Sequence, residues 1–365
     1  MDNYKSGSNN DSSKVKTFSD MARYLKKLLP AEIPPNYSIK PMFTSIESEE
    51  NIRNGILALR DLMCLFYDLL IEDGKKYEKP NSINNKADRN PSLAVDYPFI
   101  YHAKSVLLNI GYHSILNGDV LIFSRIKTLA PIICCEGMEA TTKISIPKLI
   151  NCLGFLNECG MYFEGLDLDA KKHIVASERF VEVTYPDNPA VLMGLKIMAI
   201  AQRDFRWKTN DEIFLRCDYR AITKDETDVT NAIRNYISPF SPEVREYILH
   251  LHQRCLEKGL NCTVKTGLKN SFLYTQGKNV IWELSSSIAN GYRIFIKAPN
   301  NHLYHEKTVV LSPLLQKIID NGYGCEGNRF CKPCEKGCRG FYIPLDDSIV
   351  NFSKDISAWI DLEFL

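Results

Sequence analysis

The sequence predicts an α+β protein built from more than one unit, on three observations. Its 365 residues exceed what one ordinary core organises. Hydrophobic residues make up 45% and charged residues 24%, the balance of a folded globular chain. Apolar residues at helical spacing alternate with short β-branched and aromatic runs bounded by Gly, Pro and Asn. The expected division is a polar disordered tail over 1–16 and an N-terminal helix with linker over 17–96. A central α+β unit with a small, mostly antiparallel sheet follows over 97–235, its layout open to a winged-helix reading. A C-terminal α+β unit over 236–365 carries a four-cysteine loop.

From Ile52 the apolar positions Ile56, Leu59, Met63, Phe66 and Leu70 recur every three or four residues. Ser48 is placed to cap this helix, Glu49 and Glu50 suit its positive end, and Gly74 ends it. Residues 75–96 read as a polar linker. A helix is expected over 102–117, with a second apolar segment at 119–133. Ser145, Pro147 and Gly160 bracket a helix over 146–159. Strands are expected at 161–168 and 178–185, a helix at 190–205, and a strand at 212–222. A helix opening at Ser241-Pro242 leads to strands near 261–266, 270–275, 279–285 and 292–297, the last two joined by an Asn290-Gly291 turn. A helix over 313–321, a strand at 340–345 and an amphipathic final helix with Ile356, Trp359, Ile360 and Phe364 complete the chain.

Forty-five Lys and Arg against 44 Asp and Glu leave a formal charge of +1, so nothing global favours nucleic acid or an anionic membrane. No run reaches the roughly eighteen apolar residues of a spanning helix, and the polar N-terminus has no signal-peptide core. A cytoplasmic protein is expected. Its twelve cysteines should then be thiols or metal ligands.

Cys325, Cys331, Cys334 and Cys338 follow a C-x5-C-x2-C-x3-C spacing. Four thiolates satisfy a closed tetrahedral zinc site, and the flanking Arg329, Lys332, Lys336 and Arg339 would offset its negative charge. A structural zinc is therefore expected, pinning the preceding helix to the following strand. The spacing also approaches, without matching, that of an iron–sulfur cluster, and free or redox-active thiols complete the alternatives.

Alternation across the expected 213–221 strand places Arg216, Asp218 and Arg220 on one face. Two guanidiniums beside a carboxylate suit a phosphate or carboxylate ligand; an internal ion pair on a solvated face is the plainer reading. Glu164, Asp167 and Asp169 on the neighbouring segment could join Asp218 in a divalent-metal set. His252 and Cys255 share a helix face, with His250 nearby and Cys262 beyond. Packed, hydrogen-bonded residues are a plainer reading of them than a metal site, and His302 and His305 sit in a polar loop.

Three helices followed by a hairpin over 102–185 also match a winged helix-turn-helix. However, 145–185 carries four Lys/Arg against six Asp/Glu, a surface that should repel DNA. Residues 251–310 are basic, with eight Lys/Arg against three Asp/Glu, and hold Phe272, Tyr274, Trp282, Tyr292 and Phe295. Nucleic acid could stack on such a sheet, unless the aromatics are core and the acidic tail 346–365 covers it. P-loop, G-x-G-x-x-G, G-x-S-x-G and H-E-x-x-H signatures are absent. The expectation is a zinc-stapled binding or regulatory protein without catalysis, whose partner is a protein or small ligand. The alternatives are an enzyme with its site on the 164–220 sheet and a nucleic-acid-associated factor using the 251–310 sheet.

Overall fold

The computed structural model describes residues 18–74, 103–134, 144–169, 174, 179–204, 214–224, 228–265, 269–287, 291–297, 312–313 and 341–363. Helices and two antiparallel sheets make it α+β. All but Leu273 of the described buried apolar residues, from Ala22 to Ile360, belong to one contiguous cluster.

Helix α1 spans Phe18–Lys26 and packs on α2, Glu49–Glu72. The Ser48 Oγ accepts the Asn51 N–H at 3.2 Å, so the helix starts where the cap demands. Ten of its residues are buried, among them Ile52, Ile56, Leu59, Met63, Phe66 and Leu70.

Next come α3 (Lys104–His113), the hairpin β1 (Ile115–Asn117) and β2 (Val120–Ser124), α4 (Arg125–Cys134) and α5 (Ile146–Glu158). Strands β3 (Tyr162–Glu164) and β4 (Phe180–Thr184) follow. The sheet order is β1-β2-β4-β3, antiparallel throughout. The hairpin corrects the expected helix over 102–117. Asn117 pairs with Val120 across a two-residue turn in which Gly118 takes φ +57°, a conformation that costs glycine little.

Helix α6, Ala190–Asp204, lies between α2 and α3. The expected strand at 212–222 does not form over its described part. Residues 214–217 are helix and turn, and 219–221 form a 3-10 helix whose N-cap is Asp218. The cause is local: the Asp218 carboxylate accepts the Arg220 N–H at 3.2 Å, giving the backbone a turn in place of a ladder. The expected β-β-α-β order is therefore wrong, because its last strand is a turn and the β1–β2 hairpin precedes the rest.

Helices α7 (Val229–Ile237) and α8 (Pro242–Glu257) lead into the meander β5 (Asn261–Lys265), β6 (Lys269–Gln276), β7 (Asn279–Ser287) and β8 (Gly291–Ile296). Strand β9 (Phe341–Pro344) adds to β8, and α9 (Ser353–Glu363) ends the described chain. Ile356, Trp359 and Ile360 are buried as their spacing predicts. Gly291 opens β8 with φ +63°, whereas Asn290, the helix at 313–321 beyond Pro313, and Phe364 lie outside the described residues. No described helix is long and apolar enough to cross a membrane.

Candidate functional site

Arg216, Asp218 and Arg220 do converge, by a route other than a strand. They line one pocket with Leu28 and Pro30, Asn235 and Tyr236 of α7, and Val264 and Phe272 of the C-terminal sheet. Its cavity of about 50 Å³ holds roughly three or four waters, the scale of a small oxyanion.

The turn that carries these residues is fastened from several sides. The Tyr67 hydroxyl of α2 donates to the Leu215 carbonyl at 3.1 Å. Ile39 bridges Thr223, with Lys40 N–H to Ile222 O at 2.8 Å and Lys224 N–H to Ser38 O at 2.9 Å. The Lys40 ammonium donates to Ala221 O at 3.1 Å. Asn235 Nδ2 donates to the Tyr219 hydroxyl at 3.0 Å, and the Tyr219 ring packs on Tyr37 with centroids 5.7 Å apart. Cys217, fully buried, has φ +48°, a conformation that β-carbon-bearing residues hold only where surroundings impose it.

Arg216 is 2% exposed and Asp218 8% exposed, so these charges meet in a low-dielectric setting. Arg220 Nε lies 2.8 Å from Asp218 Oδ1 and Nη2 lies 2.5 Å from Oδ2. Burial by itself would raise the Asp218 carboxyl. The charge and hydrogen bonds of Arg220, with the charge of Arg216, outweigh it and hold the carboxyl at about 2. Burial, then the charge of Asp218, raises the Tyr219 hydroxyl, and burial raises the Cys217 thiol. At neutral pH the pocket thus presents two guanidiniums, an amide and protonated hydroxyls around a carboxylate already engaged.

The other expected constellations resolve differently. Glu164, Asp167 and Asp169 are exposed, whereas Asp218 is buried in the pocket. Among the described residues no group of three or more His, Cys, Asp or Glu could hold a metal, which corrects the carboxylate-set reading. His252 is buried with Nδ1 2.9 Å from the Tyr274 hydroxyl and Nε2 3.3 Å from Thr230 Oγ1. Cys255 Sγ accepts the Trp282 indole N–H at 3.2 Å. These side chains are core, and His250 is exposed on α8. Phe272, Tyr274, Trp282 and Tyr292 are buried, with Tyr274 stacked on Trp282 at 3.9 Å. Phe295 stacks on Tyr342 at 4.5 Å. The acidic tail meets α8, where Asp361 pairs with Arg254 and, at 3.0 Å, with Lys258. Cys325, Cys331, Cys334, Cys338, His302 and His305 lie outside the described residues.

The sequence reading missed Tyr219, Asn235 and Tyr236, two of them on a helix it did not predict. A signal was present: Asp228 caps α7 by accepting the Asn231 N–H at 3.0 Å, and Ile233, Tyr236 and Ile237 follow at helical spacing. Compared with known proteins, the chain matches no family model, no curated sequence and no solved structure.

Proposed function

We propose that the chain is a non-catalytic binding and regulatory protein whose pocket at Arg216, Asp218 and Arg220 takes a small oxyanion, a phosphate or a carboxylate. The observation that carries the reading is the pocket itself, where two guanidiniums, the Asn235 amide and the Tyr236 ring meet from separate parts of the chain. Guanidinium forks suit oxyanions, and burial strengthens the contact. Binding is favoured over catalysis by the protonation states. A carboxylate held at about 2 is a poor base, and a tyrosine and a thiol with raised values are poor nucleophiles at neutral pH.

The connectivity α3-β1-β2-α4-α5-β3-β4, with β4 between β2 and β3, supports a winged-helix module. On α5 the exposed positions include Asn151 and Glu158, which favours protein contacts over DNA. The spacing of Cys325, Cys331, Cys334 and Cys338 supports a structural zinc, and Cys64, Cys152, Cys159, Cys217, Cys255 and Cys262 are free thiols, in keeping with a cytoplasmic protein.

The test is thermal denaturation of the full chain with inorganic phosphate, acetate or chloride at matched ionic strength. Phosphate or acetate should raise the melting temperature, by about 2.7 kcal/mol of stability at a hundredfold excess over Kd. Arg216→Met should abolish the shift. Equal shifts for Arg216→Met and the parent, or a response no larger than that to chloride, would overturn the reading.

A further inference from the structure

We propose that the solvent face of the β1-β2-β4-β3 sheet docks a basic amphipathic segment of a partner protein. Ile115, Phe180 and Tyr162 are 70%, 67% and 53% exposed, the three most exposed large apolar side chains among the described residues. All three point outward on this sheet, since the alternating positions Leu121, Phe123, Phe163, Val181 and Val183 are buried on the inner face. Half-buried Val120 and Ile122 lie between them. The apolar groups therefore share one face of a regular sheet, with Glu182 among them.

Charge selects the occupant. Glu164 and Glu182 are register partners on adjacent strands, both exposed on this face, and Glu182 is also the register partner of Ile122. Like charges directly opposite one another weaken a sheet, and a Lys or Arg set across from them would relieve that repulsion. The four strands carry no Lys or Arg of their own. Arg125 and Arg179, joined by a backbone hydrogen bond of 3.2 Å, lie only at the Phe180 end. A second copy stacked on this face by a two-fold axis would set the glutamates against each other. Nucleic acid and anionic lipid would meet the same repulsion. The edge strands β1 and β3 are three residues each, too short to template strand addition well, so the face and not the edge is the contact surface.

The full chain is titrated into a fluorescein-labelled amphipathic helical peptide of Leu and Lys, and into its Leu and Glu counterpart, with fluorescence anisotropy as the readout. The Leu/Lys peptide should bind and the Leu/Glu peptide should not. The double substitution Ile115→Ser, Phe180→Ser should weaken binding at least about tenfold, and Glu182→Lys should weaken it and reduce its salt dependence. Circular dichroism confirms that these surface variants fold. Arg216→Met should leave peptide binding unchanged, which separates this surface from the anion pocket. Equal affinity for parent and variants, no binding of the Leu/Lys peptide, or dimerisation abolished by Phe180→Ser would each overturn the proposal.

Discussion

Arg220 closes its guanidinium fork on Asp218, two residues before it, through Nε and Nη2 at 2.8 and 2.5 Å. The same carboxylate caps the turn through the Arg220 N–H. One side chain therefore fixes both the backbone of the turn and the charge of the pocket.

Acid should weaken the protein through this pair. The folded Asp218 carboxyl at about 2 lies below its ordinary 3.8. Its contribution is therefore complete above the unfolded value and is lost as pH falls from about 4 toward 2. The difference corresponds to about 2 kcal/mol. Asp218→Asn should cost about 3–5 kcal/mol at pH 7 by leaving buried guanidiniums without their counter-charge, and should flatten the acid limb between those pH values. Urea denaturation at pH 7, 4 and 2.5 measures both; an unchanged midpoint at pH 7 would show that the pair carries no structural weight.

The crossing of α2 and α6 depends on two glycines. A methyl group at Gly194 would sit 2.0 Å from the Gly55 carbonyl oxygen, and one at Gly55 would sit 2.8 Å from the Gly194 nitrogen. Gly194→Ala should destabilise by about 1–3 kcal/mol or more, since the helices must separate. Gly154 on α5 has open space around it, so Gly154→Ala should stabilise by about 0.5–1 kcal/mol. Thermal melts of the two variants should move in opposite directions.

Protein purified anaerobically should carry about one zinc per chain by elemental analysis if the four cysteines coordinate tetrahedrally. Cys334→Ser should lose the metal and lower the melting of the C-terminal part of the chain, because metal binding and folding are coupled. Metal-free parent protein, or Cys334→Ser with unchanged melting, would exclude the zinc staple.

Much of the fold was legible because its signals are local. Ser48, the glutamates after it and the spacing from Ile52 to Leu70 define α2 without reference to the rest of the chain. The meander from Asn261 to Ile296 follows from alternation and turn residues. Where the reading failed, a local signal was ambiguous. Asn117-Gly118 marked the β1–β2 hairpin, but the apolar run before it continued a helical pattern. Alternation from Ile213 to Arg220 imitated a strand, although Asp218 is also a residue that caps turns.

The sequence by itself determined the fold class, the α2 and α5 helices, the strands of the five-stranded sheet and the identity of the charged trio. The trio's convergence was decided only by tertiary structure. Arg216, Asp218 and Arg220 face one cavity because Tyr67 holds Leu215, Ile39 pairs with Thr223, and α7 brings Asn235 and Tyr236 against them. Those partners lie 16 to 184 residues away in the chain. Their attraction depends on burial and hydrogen bonds that exist only once the core has formed, so no local pattern could encode it.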